Sequence, residues 1–306
     1  MSASRKREPR LRKAAENRVC RVGYLPRSTE RQSIFDDQTA CCYISEPAMK
    51  MASLGLVFLT SLCSLSCAAA PLDAQRLTSG HFDAAAQAIL NAAQSGDAAL
   101  FRSLSAGPVQ LSGTAENGTT FLQWALAHGK KRTFLLLLRS GADPAQIGCD
   151  GDTVIHDAAR HSDPSWLELL LENGAHPDAR NASSGTLPLH QALIADRARQ
   201  FEALLKAGAD PDLADDTGNA ALHIAAQINK PWRVLMLLMN PGKPADPFIR
   251  NAQKSTFQRY LFMTDDRLLN KQTRAGRKAV LDYLLSKGIP IDSSVPPRHE
   301  RTFKRP

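Results

Sequence analysis

Apolar residues in this chain gather into leucine-rich segments that return at a fixed distance. Three of them read Leu135-Leu-Leu-Leu-Arg-Ser-Gly-Ala-Asp-Pro144, Leu169-Leu-Leu-Glu-Asn-Gly-Ala-His-Pro177 and Leu204-Leu-Lys-Ala-Gly-Ala-Asp-Pro211. Looser copies run Leu237-Leu-Met-Asn-Pro-Gly242 and Leu284-Leu-Ser-Lys-Gly-Ile-Pro-Ile291. Each leucine run predicts a helix with a wide apolar stripe. The glycines Gly141, Gly174 and Gly208 are expected to end these helices in the left-handed conformation. The Asp-Pro that follows begins an extended turn, because proline disfavours helix in the residue before it. A second phrase keeps the same period: Gly118-Thr-Thr-Phe-Leu-Gln-Trp-Ala125, Gly151-Asp-Thr-Val-Ile-His-Asp-Ala158, Gly185-Thr-Leu-Pro-Leu-His-Gln-Ala192 and Gly218-Asn-Ala-Ala-Leu-His-Ile-Ala225. Thr120 and Thr153 are placed to cap a helix start, and Pro188 suits its first turn. The pairs Ala158-Ala159 and Ala225-Ala226 thin one helix face so that a neighbour can approach. Every period therefore predicts two helices, and glycines spaced 33, 34 and 33 residues apart mark stacked repeats.

The two phrases, locked to one period, resemble the ankyrin repeat family over about Glu116 to Pro247. That resemblance implies an all-α solenoid of stacked helix-turn-helix units with β-hairpin-like turns. We expect a repeat domain over residues 71–292 with about six units, the outer two being degenerate caps at 82–107 and 251–292. End units of a solenoid must show water a polar face, so irregular first and last copies fit. The first cap is expected to hold helices Asp83–Ala93 and Ala98–Ser105. In the last, the second helix is expected at about Ala275–Ser286 after an insertion around Asp265–Gln272. Phe121 for Pro, Gln123 for His and Leu187 for Thr are expected to weaken single helix caps.

A different kind of sequence precedes the repeats. No charged residue occurs from Ala52 to Leu72, whose core Leu54-Gly-Leu-Val-Phe-Leu-Thr-Ser-Leu62 follows Met49-Lys50-Met51 and ends in Ser66-Cys-Ala-Ala-Ala-Pro71. A cationic start, an apolar core and a small-residue exit describe a secretory signal peptide over 49–70. Residues 1–48 are then an untranslated or disordered extension, with Met49 a candidate start, and 293–306 a disordered basic tail. If translation starts at Met1, the same stretch is long enough to act as a signal anchor. Cys67 offers a third possibility, a lipid anchor, although Ser64-Leu65-Ser66 matches lipoprotein sites poorly. All three readings export the repeats to the periplasm or beyond.

This segment changes the meaning of the charge. The whole chain carries a formal +8. Residues 1–48 hold ten Lys/Arg and six Asp/Glu, and Lys50 adds a cation, so the remainder after Ala70 is near +3. A nucleic-acid partner loses most of its support. Of six cysteines only Cys149 is expected to survive signal removal, leaving no internal disulfide.

His156, His190 and His223 invite a metal reading, but they occupy equivalent positions in successive repeats. Stacked helices stand roughly 8–10 Å apart, too far for shared coordination at about 2 Å, so a structural role between repeats is expected. Trp166 and Trp232 are expected in the core, and Asp215-Asp216 and Asp265-Asp266 on the surface. No nucleophile motif, phosphate loop or zinc signature is present, so we expect no catalytic residue, no cofactor, no metal and no small-molecule substrate. The partner is expected to be another protein, with membrane contact only if the signal segment is retained or Cys67 is lipidated.

Family members bind partners through hairpin tips and the ends of the first helices. By position, the resemblance implies Glu116, Asn117 and Thr119 with Ala127 and His128. It implies Cys149, Asp150 and Asp152 with Arg160 and His161. Next come Ser183, Ser184 and Thr186 with Ile194, then Asp216, Thr217 and Asn219 with Gln227 and Ile228. Asp150→Arg or Arg160→Glu is expected to weaken capture at unchanged stability. The implied function is a non-enzymatic bacterial interaction module. Periplasmic proteins of this kind are associated with immunity or accessory roles beside a secreted effector. The alternatives are an envelope scaffold or chaperone-like protein tethered to the membrane, or protection against oxidative stress.

Overall fold

The structure, a computed structural model, describes residues 77, 80–106 and 111–292. The expected signal segment and C-terminal tail lie outside these residues. The described part holds twelve α-helices in six consecutive pairs. They are α1 Ala84–Ser95 and α2 Ala98–Ser105, α3 Phe121–Ala127 and α4 Lys131–Arg139, and α5 Val154–Arg160 and α6 Ser165–Glu172. The second half holds α7 Pro188–Ile194 and α8 Ala198–Lys206, α9 Ala221–Gln227 and α10 Pro231–Leu238, and α11 Phe257–Met263 and α12 Lys271–Ser286. No β-strand occurs among the described residues, and Thr114 and Thr120 form an isolated antiparallel bridge.

First helices pack on first helices (α5 on α7, α7 on α9, α9 on α11), and the second helices of the first five units each lie behind their own first, while α12 packs on α10. One apolar core results, running from Ile89 through Phe134, Trp166, Phe201 and Val234 to Leu284. The leucine helices end as their sequence predicts. Gly141, Gly174 and Gly208 take φ of 94°, 82° and 89°, and the next alanine returns its N–H to a leucine carbonyl, as Ala209 does to Leu204 at 2.9 Å.

Between pairs the chain makes a short hairpin, closed by Gly148 N–H to Asp152 O (2.8 Å), Asn181 to Thr186 (2.9 Å), Asp215 to Asn219 (3.1 Å) and Asn251 to Ser255 (3.1 Å). The single 34-residue step is explained here, because the Asn181–Thr186 hairpin holds one residue more than its neighbours. Gly218 shows why the tips need glycine. Its φ is +78°, and a Cβ there would stand 2.8 Å from the backbone nitrogen of Ala252 in the next tip.

In α3, α5 and α9 the third residue links one unit to the next. His156 Nδ1 accepts from the Thr153 N–H (3.2 Å), while its Nε2 faces the Thr186 carbonyl at 3.1 Å. His223 repeats this with the Ala220 N–H (3.3 Å) and the Ser255 carbonyl (3.0 Å). Each pairing requires the tautomer with the proton on Nε2. Two readings are corrected by this arrangement. At Thr153 the backbone N–H is capped by the imidazole. Gln123 does not weaken its cap: its Oε1 accepts from Thr120 N–H at 3.1 Å, and the Thr120 hydroxyl accepts from Gln123 N–H at 3.2 Å.

The last two units differ from expectation in three ways. Gly242 is not the equivalent of Gly208. The Ala-Asp-Pro phrase returns as Ala245-Asp246-Pro247, with Ala245 N–H bonded to Leu237 O at 3.0 Å, so three extra residues lie in the loop after α10. Helix α12 starts at Lys271, four residues before the expected position, because the Asn270 side chain caps it through Thr273 N–H at 2.8 Å. Trp232 is 43% exposed, whereas Trp166 is buried at 2%. Only one of the two tryptophans belongs to the core.

Candidate partner-binding face

The hairpin tips stand in a row: from the third hairpin on, each donates a backbone hydrogen bond to the one before, and the first donates to His81 ahead of α1. Glu116 N–H reaches His81 O at 3.0 Å and Ala182 N–H reaches Gly151 O at 2.8 Å. Asp216 N–H reaches Ser184 O at 3.1 Å and Ala252 N–H reaches Thr217 O at 3.0 Å. Asn181 stiffens the row, its amide donating to Asp150 O (3.0 Å) and to Asp152 Oδ1 (2.6 Å). Arg180 reaches across to Asp216 at 3.3 Å. The tips are therefore fixed relative to one another by the units that carry them.

The expected contact residues divide by burial. Glu116, Asp150, Ser183, Ser184, Asp216 and Thr217 are exposed, and Asn117, Thr186, Ala127, His128, Arg160, His161, Ile194, Gln227 and Ile228 are half-buried. Thr119, Cys149, Asp152 and Asn219 are instead buried. They sit at the hairpin base, where the next unit covers them. Asn219 Oδ1, for example, accepts from Asn251 Nδ2 at 2.8 Å. Their side chains are not available to a partner, and this corrects four positions of the implied set.

Arg160 needs a second correction. Its guanidinium lies between Asp152, at 2.8 Å, and Asp157, in a very short contact, and its side chain is only 11% exposed. Gln123 Nε2 adds a 2.8 Å bond to Asp157 Oδ2 and Asn181 of the next hairpin donates to Asp152, so the cluster ties three successive units together. Burial pushes the Asp157 carboxyl above its usual range, with Arg160 and Gln123 opposing the shift. Burial would lower the Arg160 pKa, but Asp157 and Asp152 outweigh it and hold the guanidinium charged. Arg160 is thus a structural cation at the edge of the face.

The other helix ends are accessible. His128 stacks on Trp124 with centroids 4.1 Å apart, and its Nδ1 approaches the Trp124 carbonyl at 2.8 Å. His161 sits edge-on to Trp166, and partial burial lowers its pKa. Next to it Asp163 accepts from Lys131 and from Ser165, which brings its pKa down to about 2. Exposed along the tips are Glu116, Asp150 and Asp216, one carboxylate on each of three hairpins. The geometry offers a rigid row of tips, with Asp216 paired to Arg180, beside shallow aromatic and aliphatic ends. Among the described residues no three His, Cys, Asp or Glu side chains gather as metal ligands would.

Comparison with known proteins agrees with the architecture. The family model for ankyrin repeats, in three copies, matches residues 89–181, from within α1 to the third hairpin. Protein PhlB of Serratia liquefaciens is 40% identical over 139 residues, 45% of this chain and 60% of that protein. The NF-kappa-B inhibitor alpha of Gallus gallus is 33% identical over 155 residues, 49% of this chain and 46% of its own length. The E3 ubiquitin-protein ligase KEG of Arabidopsis thaliana is 28% identical over 166 residues, which are 52% of this chain and 10% of the ligase. The match thus spans between a tenth and three-fifths of these relatives. The ankyrin fold is a protein–protein interaction fold, and by its repeat phrases, its helix pairs and these matches the described array is built of ankyrin repeats.

Proposed function

We propose that this protein is an exported bacterial binding protein that holds a protein partner against its row of hairpin tips. The observation that carries this reading is the backbone ladder between tips, which presents Asp150, Ser184 and Asp216 in fixed register. A face ordered before binding loses little entropy when a partner docks. Its carboxylates favour a partner with a basic patch and speed encounter with it. Export is supported by the uncharged segment 52–72 behind Met49-Lys50-Met51. A secreted effector is the partner class we favour, since a binder of this kind acts by covering another protein's working surface. The similarity to a protein of Serratia liquefaciens supports a bacterial setting.

Asp150→Arg should weaken capture of the partner from the envelope fraction of the source cell by at least about tenfold, roughly 1.4 kcal/mol. Its melting temperature should fall by no more than a few degrees, about the cost of placing Arg at the exposed tip's φ of 57°. Capture unchanged by Asp150→Arg would remove the tips from the binding account. Fractionation tests the export reading separately. A full-length product that stays in membranes after a salt wash would replace the cleaved protein by a tethered one.

A further inference from the structure

The outward side of the array breaks its own pattern at one unit. The buried leucines Leu137, Leu170, Leu204 and Leu237 set the register of the second helices. Five residues before them stand Arg132, Ser165, Arg199 and Trp232, and two residues after them stand Arg139, Glu172, Lys206 and Met239. Positions that are polar or charged in three units are thus apolar in α10 alone of these four. Trp232, Met236 and Met239 follow i, i+4, i+7 spacing and are 43%, 37% and 58% exposed. With Leu205 and Leu235 they floor an open groove of about 690 Å³, edged by Glu202 and Lys206 of α8 and closed at one end by Asn240, Pro241 and Gly242. That closing wall belongs to the three extra residues after α10.

The groove is braced from its far side. Gly276 of α12 is buried, and a Cβ there would lie 3.1 Å from the indole of Trp232 and 2.7 Å from Pro231. The glycine lets α12 press on the tryptophan and fix its ring. The charges at the mouth are uneven. Glu202 faces Arg233 at 3.6 Å, and Lys243 is drawn off by Asp210 and Asp212. Lys206 is exposed and makes no ion pair among the described residues. Two cations therefore stand against one carboxylate.

We propose that this groove docks an amphipathic helix of a partner protein, its apolar stripe on Trp232, Met236 and Met239 and an acidic residue over Lys206. The stripe runs seven residues along α10, about 10 Å or two helical turns, which suits helix-in-groove binding through i, i+4, i+7 anchors. A fixed tryptophan supplies the anchor, and methionines adapt to the side chains that enter. The positive mouth selects against a second copy of this chain, whose own rim has the same sign. This docking site lies on the second helices and is independent of the hairpin row.

The test titrates the full chain with capped helical peptides of roughly 16 residues, long enough to hold helix. They carry leucine at i, i+4 and i+7, flanked by glutamate in one and lysine in the other. Binding is read by calorimetry and by tryptophan fluorescence. We expect the glutamate-flanked peptide to bind at least about tenfold more tightly than the lysine-flanked one. Met239→Lys, which restores the residue type found at Lys206, should lower that affinity at least tenfold at an unchanged melting curve. Lys206→Glu should reverse the preference, and Asp150→Arg should leave it intact. The proposal fails if the glutamate peptide does not saturate, or if Met239→Lys binds as the parent does. It also fails if sedimentation shows a self-dimer, or vesicles of phosphatidylcholine and phosphatidylglycerol show adsorption, that Met239→Lys abolishes.

Discussion

Arg160→Glu should unfold the middle of the array at temperatures and urea concentrations where the parent is fully folded. The guanidinium is the shared counter-ion of Asp152 and Asp157, whose side chains are 4% and 0% exposed. Removing one partner of a buried ion pair costs about 3–5 kcal/mol, because the remaining charge is left without solvent or counter-ion. Here two carboxylates are orphaned and a third is placed beside them. Arg160→Lys should cost less, since the charge remains while the fork that serves both carboxylates is lost. Fluorescence of Trp124 and Trp166, which lie in the first two of the three units joined by the cluster, follows the transition. A urea midpoint for Arg160→Glu equal to the parent's would contradict the burial described here. The sequence expectation for this variant, weaker capture at full stability, is withdrawn on this geometry.

Acid should destabilise the array well before the carboxylates titrate. His190 is 1% exposed, its Nδ1 has no hydrogen-bond partner among the described residues, and burial depresses its pKa from 6.5 to about 4. Asp215 pulls the other way, while Arg180, His156 and His223 add to the depression. Burial depresses His223 as well. A group whose folded pKa lies below its unfolded value binds more protons when unfolded. Its contribution is complete above pH 6.5 and is lost as pH falls from 6.5 to about 4. For His190 this shift corresponds to about 3 kcal/mol. Asp157 opposes the trend at its own titration, since its pKa is raised by burial. Urea midpoints at pH 7.5, 6, 5 and 4 should fall steadily. His190→Gln should flatten much of that slope, because Gln123 fills the same helix position in its own unit without a titrating group. A parent midpoint independent of pH would refute the assignment, as would a His190→Gln slope equal to the parent's.

The repeat architecture was legible because its determinants are local. Gly208 ends a helix through its own backbone, Pro188 opens one through its own ring, and the spacing of the histidines shows that they stack. The cluster around Arg160 was harder to read, since its anion Asp152 belongs to the hairpin and its neighbour Gln123 to the previous unit. A signal was nevertheless present. Asp157 stands where other units have Trp124, Gln191 and Ile224, and a carboxylate at a covered position calls for a cation, here three residues on. The loop after α10 misled through Gly242, although Ala245-Asp246-Pro247 carried the true register. Trp232 was read as core by its residue type. Comparing its position with Arg132, Ser165 and Arg199 would have placed it outside. Of the candidate face, the row of tips followed from the period, whereas the burial of Thr119, Cys149, Asp152 and Asn219 depends on how closely successive hairpins stack.

Site-specific photocrosslinking in the source cell tests the central claim most directly. A photoreactive residue placed in turn at Asp150, Ser184 and Thr217 should trap one and the same protein from all three tips, because the backbone ladder holds them on a single face. The same residue at Glu168, exposed on the outward side of α6, should not trap it. Adducts formed from Glu168 and from none of the tips would contradict the account.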